Sequence, residues 1–329
     1  MKKGVSGMLG SSAVIFVPDD TAKTGLAQPL LLVPALGAPL LRWLANSLCA
    51  EGVGRFFLVC HDRYIAQARA CFPAEAEVVT GIEHDPSDLL HVFLSTAEDS
   101  EAEVTVVTGA AMYLPQLASY ANAPRPSCVR RVSREAMMAA LDERFSFVQV
   151  LRENGAVLSD CDGFYSVETA AAAAEAATLL RRNQALALLK AGVEIFDWNS
   201  CYISPSARIK PGAKLLPGAS IRGDSVIAEG AVIGPWSVID TCTIGADTRV
   251  NASQVSRCAV GKNVQIGPYC AIGAADSDAP QGSIGDDAVI SPNTTLSAPI
   301  CVENGAKITP EDLLLAQQNA KLNRAQKKK

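Results

Sequence analysis

Histidine is the scarcest chemically useful residue in this 329-residue chain: there are three, His61, His84 and His91, and none after residue 91. A general base working near neutral pH is most readily an imidazole, so the C-terminal two thirds lacks the usual proton acceptor. Aromatic residues make up 5% of the chain, so any large core there must be filled by aliphatic side chains. The ten cysteines include no C-x-x-C pair, which argues against a zinc cluster and for buried, reduced thiols. Long apolar runs are missing too. Ala13 to Val17 is too short for a signal peptide and is ended by Pro18-Asp19-Asp20, and no stretch is long enough to span a membrane. The expected location is cytoplasmic. A formal net charge of −5 gives no electrostatic reason to expect nucleic acid.

What the chain does have is a short repeat. An aliphatic residue recurs six apart at Ile203, Ile209, Leu215, Ile221, Ile227, Ile233 and Ile239. The series continues, with some five-residue steps, through Ile244, Val250, Val255, Val260, Ile266 and Ile272, and resumes from Ile284 to Ile308. Two residues before nearly every one sits a small residue such as Ala213, Ser225, Cys242, Thr248 or Cys258. A helical period of 3.6 cannot stay in phase with repeats of six, whereas short strands broken by regular turns can. The pattern predicts a parallel β-helix whose large and small slots both point inward. Glycine is expected to supply the left-handed corner positions. The gap between Ile272 and Ile284 reads as one empty slot in about six coils, a prism about 29 Å tall at roughly 4.8 Å per strand.

Ahead of the repeat, apolar strands alternate with helical segments. Strands are predicted at Ala13–Val17, Phe56–Cys60, Glu77–Thr80 and Val104–Thr108, and helices over Ala38–Ala50, 62–71 and Leu89–Thr96. This alternation predicts a parallel α/β sheet with its ligand edge at the strand C-termini. Weaker signals put Met137–Leu141 on a helix and Phe147–Leu151 on a strand. Glu168–Ala191 reads as one long helix stopped by Gly192. Thr309-Pro310-Glu311-Asp312 has the form of a helix start, with Leu313–Leu315 covering the last coil and Lys327-Lys328-Lys329 as a solubilising tail.

Together these features resemble the bifunctional N-acetylglucosamine-1-phosphate uridyltransferase/glucosamine-1-phosphate acetyltransferase family. The five-residue steps from Val238 to Tyr269 carry the resemblance, as do Gly37-Ala38-Pro39-Leu40-Leu41 and Ala191-Gly192-Val193-Glu194-Ile195-Phe196-Asp197. The resemblance implies an α/β nucleotidyltransferase-like domain over 1–165, a linking helix over 166–198, a left-handed parallel β-helix of hexapeptide repeats over 199–309, and a C-terminal helix and basic tail over 310–329. It also implies a homotrimer assembled along the β-helix, a nucleotide-sugar ligand, and Mg²⁺ if nucleotidyl transfer survives.

The family's chemistry is largely missing. Its first strand opens into L-A-A-G-x-G-T-R-M, but here Val17 is followed by Pro18-Asp19-Asp20-Thr21-Ala22-Lys23-Thr24-Gly25. Amides and cations that would cradle a triphosphate are replaced by a proline and two carboxylates. Only Lys23 could stand in for the lost arginine. The family's lysine after proline aligns with Leu30, and its metal-binding aspartate with Ala110 after Gly109. The second metal ligand aligns with Glu168, although a helix N-terminus also favours glutamate for structural reasons. Each lost electrostatic contact of this kind costs on the order of 10²–10³ in rate. The β-helix has no histidine base, and His61 and His84 read as exposed loop residues. The expectation is therefore a catalytically degraded relative with vestigial pocket positions Asp19, Lys23 and Gly109 and a weak metal candidate in Glu168. The alternative is an active nucleotidyltransferase using substituted ligands.

Overall fold

The structure, a computed structural model, describes residues 9–82, 87–96, 103–114, 128–142, 155–157, 163–273, 281–297 and 299–314. The chain divides into two compact units between residues 183 and 184.

The first unit runs β1 (Ser12–Val17), α1 (Thr21–Thr24), a small hairpin β2 (Pro34–Ala35) and β3 (Ala38–Pro39), α2 (Leu40–Ala50), β4 (Arg55–Cys60), α3 (Ile65–Arg69) and β5 (Glu77–Ile82). It continues with α4 (Ser87–Ser95), β6 (Glu103–Val107), β7 (Ala111–Tyr113), β8 (Val129–Ser133), α5 (Arg134–Asp142), β9 (Gly155–Val157), β10 (Phe164–Ser166) and the start of α6 (Ala170–Lys190). The main sheet has the order β5-β4-β1-β6-β8-β9. Its first four strands are parallel, as the alternating pattern predicts, while β8 and β9 join antiparallel at one side. Phe147–Leu151 and His84 fall outside the described residues.

Successive side chains of β1 serve opposite faces of the sheet. Ala13, Ile15 and Val17 join a core with Leu40, Leu41 and Leu44 of α2 and Ala173, Ala176 and Leu180 of α6. Val14 joins a second core with Leu90, Phe93 and Leu94 of α4 and Met137 of α5. A strand covered on both faces has no polar side, which is why Ala13-Val14-Ile15-Phe16-Val17 is an unbroken apolar run.

The second unit is a three-sided parallel β-helix, fitting the left-handed form. Its nineteen short strands run from β11 (Glu194–Ile195) to β29 (Lys307–Ile308) in three sheets of seven, six and six. Ile221 stacks on Ile239, then Val255, Ile272 and Leu296, and the other two sides stack likewise. The large slots and the small slots two residues earlier are both buried, from Ala213 and Leu215 to Ala288 and Ile290.

Two expectations need correcting. No slot is empty between Ile272 and Ile284: Cys258, Ala259 and Val260 pair directly with Gly282, Ser283 and Ile284, so the third side continues without a gap. Nor does glycine alone supply the left-handed corners, although Gly212, Gly218, Gly223, Gly230 and Gly305 do so. Trp236, Thr241, Asp247, Ala252, Arg257, Asn263, Tyr269, Asp287 and Asn293 all have φ between 40° and 60° or just above. Each is held because its N–H donates to a carbonyl of the coil below, as in Arg257 to Asp240 (2.8 Å) and Asn263 to Ala246 (2.8 Å). The ladder overrides a local penalty of about 1–2 kcal/mol per residue.

Past the last coil, the Thr309 hydroxyl accepts from the Asp312 N–H (3.2 Å) while Asp312 Oδ2 accepts from the Thr309 N–H (2.9 Å). This reciprocal pair is the expected helix start. Leu313 packs on the β-helix core, Leu314 is exposed, and Leu315 lies outside the described residues.

Candidate functional site

In an open parallel sheet the ligand crevice lies beyond the strand C-termini, where the order of connection reverses. Here that point is between β1 and β6: the chain steps outward from β1 to β4 and β5, then returns to the other side of β1. The segments leaving these neighbouring strands are 18–25 and 108–110, the two places where the sequence puts Asp19, Lys23 and Gly109.

The turn after β1 is filled by its own polar groups. Asp19 Oδ1 accepts from the Thr21 hydroxyl (2.6 Å) and more weakly from the Thr21 N–H (3.4 Å), while Oδ2 pairs with the Arg63 guanidinium. The Thr21 hydroxyl, with help from the Thr21 amide and Arg63, holds the Asp19 carboxyl below its usual range. Asp20 accepts the Leu30 N–H on Oδ1 (3.0 Å), and its carbonyl accepts from the amides of Lys23 and Thr24. Both carboxylates are therefore turn-building groups. Lys23 is exposed on the four-residue α1. Leu30, in the place of the family lysine, is buried.

Arg63 is the residue that sequence reasoning missed. It follows β4, the strand beside β1, and its guanidinium lies 4.6 Å from the Tyr64 ring centre. Neighbouring strand ends share one edge, so a cation just after β4 could have been sought. The side chains of Arg63 and Asp19 remain 54% and 26% exposed, so this pair adds little stability and can be exchanged. His61 is half-buried rather than an exposed loop residue, because its Nδ1 accepts the Arg63 N–H (3.3 Å) and caps a turn.

On the β6 side, β7 and β10 pair antiparallel, and the Val167 N–H donates to the Ala110 carbonyl (2.8 Å). This contact brings the two positions singled out as metal ligands, Ala110 and Glu168, to neighbouring places. Gly109 packs on Cys128, whose carbonyl accepts from the Thr108 amide (2.7 Å), and an added Cβ at Gly109 would meet Cys128 Cβ at 3.0 Å. Glu168 is exposed and accepts from the Ser166 hydroxyl (3.4 Å). It does not sit in the first turn of α6, because Thr169 caps that helix through the Ala172 N–H (3.1 Å). Cys128, which the sequence did not flag, has its thiol pKa raised by burial and further by the Glu168 charge.

No protein-family model matches the chain, and no curated protein matches it. Solved structures do match. The inositol-1-phosphate CTP transferase of T. maritima aligns with 54% of this chain and 97% of its own, at 12% identity and a TM-score of 0.40. The acetyltransferase domain of PglB from Neisseria gonorrhoeae, in complex with acetyl coenzyme A, aligns with 90% and 98%, at 12% identity and a TM-score of 0.28. PerB from Caulobacter crescentus, in complex with CoA and GDP-perosamine, aligns with 39% of this chain and 61% of its own, at 20% identity and a TM-score of 0.26. At these scores none bears on the chemistry of this chain.

Magnesium is the cofactor the resemblance implies, and it needs several hard oxygen ligands. The residues present do not fit it. Ala110 offers a methyl group where a carboxylate would stand, which leaves Glu168 as the one acidic group of the predicted pair. Among the described residues no group of three His, Cys, Asp or Glu side chains could hold a metal ion. No described helix is long and apolar enough to cross a membrane.

Proposed function

We propose that this protein is a non-catalytic relative of the sugar-phosphate nucleotidyltransferases and hexapeptide acyltransferases. It serves as a binding or assembly module in amino-sugar nucleotide (UDP-N-acetylglucosamine) metabolism, as a homotrimer along its β-helix. The observation that carries this reading is the turn after β1. Asp19 and Asp20 close it with their own hydrogen bonds to Thr21 and Leu30, at the edge where transfer chemistry needs amides turned toward phosphate. The two carboxylates take up the amides of Thr21 and Leu30, and Asp19 draws the Arg63 guanidinium onto itself. The trimer and the nucleotide-sugar ligand come from the sequence resemblance.

A uridylyl-transfer assay with UTP, N-acetylglucosamine-1-phosphate and Mg²⁺ tests the first part: no turnover above background is expected, and turnover on the order of 1 s⁻¹ would refute it. Sedimentation velocity tests the trimer. A second reading, an active nucleotidyltransferase, gains support from Arg63 joining Lys23 at the same strand edge and from Glu168 lying next to Ala110. Under it, UTP with Mg²⁺ at a hundred times Kd raises stability by roughly 2.7 kcal/mol. An unchanged melting temperature removes that support.

A further inference from the structure

The three corners of the β-helix differ in chemistry, and one is an uncharged aromatic edge. It joins the sheet containing Leu215, Ile233, Val250, Ile266 and Ile290 to the sheet containing Ile221, Ile239, Val255, Ile272 and Leu296. Successive coils cross it as Leu216-Pro217-Gly218-Ala219, Gly234-Pro235-Trp236-Ser237, Asn251-Ala252-Ser253, Gly267-Pro268-Tyr269-Cys270 and Ser291-Pro292-Asn293-Thr294. None of these residues is charged. The equivalent corner positions are Gly218, Trp236, Ala252, Tyr269 and Asn293, all left-handed.

Large and small residues alternate along this row, so Trp236 and Tyr269 stand two rungs apart, roughly 9–10 Å along the stack. Both rings are open to solvent, Trp236 being 73% and Tyr269 71% exposed. Their backbones are fixed. Trp236 N–H donates to Pro217 O (3.0 Å), Ala252 N–H to Pro235 O (3.0 Å), Tyr269 N–H to Ala252 O (2.9 Å) and Asn293 N–H to Pro268 O (3.0 Å). The Trp236 indole lies down on the coil below, since a Cβ added at Gly218 would collide with its Cε3 and Cδ2. Glycine at that rung lets the ring rest against the edge. Two coils below Trp236, the wider first corner exposes Phe196 (63%) and Trp198 (36%).

Exposed aromatics held rigidly in a row need a reason, because water gains nothing from them. We propose that this edge binds an extended, uncharged β-1,4-linked glycan, the C–H face of every second pyranose stacking on one ring. Three observations select this ligand. The two-rung spacing of the Trp236 and Tyr269 backbones matches the length of two linked pyranose rings, the repeat in which such a chain turns the same face back to the surface. The fixed corners mean little conformational entropy is lost on binding. Asn251 and Asn293 are exposed on the same edge, and side-chain amides suit hydroxyl groups. A polyproline segment has a similar pitch of about 9.3 Å, but it docks in an aromatic-lined groove, and this is a convex edge. Single-stranded nucleic acid also stacks, but it needs cations, and the edge has none. The inference uses only this β-helix corner and rests on the edge staying open in the homotrimer proposed above; loss of the trimer in Trp236→Ala or Tyr269→Ala, read by sedimentation velocity, would overturn it in favour of a second copy covering the row.

The test is calorimetric titration of the full-length protein with the β-1,4-linked N-acetylglucosamine hexasaccharide, its disaccharide, maltohexaose and decaproline. The hexasaccharide is expected to bind, with the disaccharide and maltohexaose each weaker by about tenfold or more, because they engage one ring. Trp236→Ala and Tyr269→Ala should each weaken hexasaccharide binding by about tenfold or more, while Trp236→Phe, which keeps a stacking face, stays within about threefold. Melting temperatures of the variants control for folding, and Tyr269→Ala tests the row independently of the indole resting on Gly218. The proposal is overturned by absence of hexasaccharide binding at millimolar concentration, by equal affinity for the disaccharide, by alanine variants that bind as well as wild type, or by decaproline binding in its place.

Discussion

Replacing Thr248 with valine isolates what the polar groups inside the β-helix contribute. Thr248 is fully buried in a small interior slot. Its hydroxyl donates to the Gly261 carbonyl (2.7 Å) and accepts the Val264 N–H of the next coil (3.1 Å). The same device recurs where Cys242 N–H meets Ser225 Oγ (3.1 Å) and Cys270 N–H meets Ser253 Oγ (3.0 Å). Valine has nearly the same shape, so Thr248→Val leaves the packing intact but strands a buried amide. A stranded donor costs about 1–3 kcal/mol, and the lost bond to Gly261 adds about 1, giving about 2–4 kcal/mol. Thr248→Ser keeps both bonds and loses one methyl group, costing about 1 kcal/mol. The assay is hydrogen exchange at the Val264 amide together with urea unfolding. A loss of about 2.8 kcal/mol accelerates exchange through global opening about a hundredfold. If the valine variant is within 0.5 kcal/mol of wild type, or the serine variant is the weaker of the two, the hydroxyl ladder is not what holds these corners.

Other outcomes follow from the same packing and electrostatics. Ile233→Ala removes a fully buried large slot and should lower urea stability by about 2–5 kcal/mol, while Leu314→Ala, at an exposed site, should change it by less than about 0.5; equal effects would contradict the inward-facing assignment. Burial raises the Cys242 thiol to about 11 and the Cys258 thiol to about 12. Iodoacetamide at pH 8 followed by peptide mapping should therefore label exposed Cys301 first and spare those two until denaturant is added. The Asp19 carboxyl is depressed chiefly by the Thr21 hydroxyl. Its contribution is present above the unfolded value of about 3.9 and is lost as pH falls through the lower folded value. The difference in melting temperature between wild type and Asp19→Asn should accordingly be present at pH 7 and shrink below about pH 4; a pH-independent difference argues against the hydrogen-bonded carboxylate.

The β-helix was legible because nearly all of its turns repeat one local rule: a large aliphatic residue, and a small residue two places before it, with Val264 and Ile300 as larger exceptions. Strand alternation in the first unit was legible for the same reason, since β1 and β4 are apolar on both faces. The candidate site was read only by subtraction. Asp19, Lys23, Gly109 and Glu168 could be placed on strand ends and a helix approach, yet nothing in their spacing said that Asp19 would meet Arg63. That pair is separated by a whole β–α–β passage, and only the parallel pairing of β1 with β4 brings the two strand ends together.

The sequence by itself determined the kinds of elements and the interior of the prism, because hydrophobic periodicity acts locally. Tertiary structure decided what happens at the corners. Left-handed Trp236 and Tyr269 are disfavoured residue by residue and stand there only because each N–H is taken by the coil below. Tertiary structure also decided which distant residues line one edge. Trp236 and Tyr269 lie 33 positions apart in the numbering (269 − 236) and become second neighbours only when the coils stack.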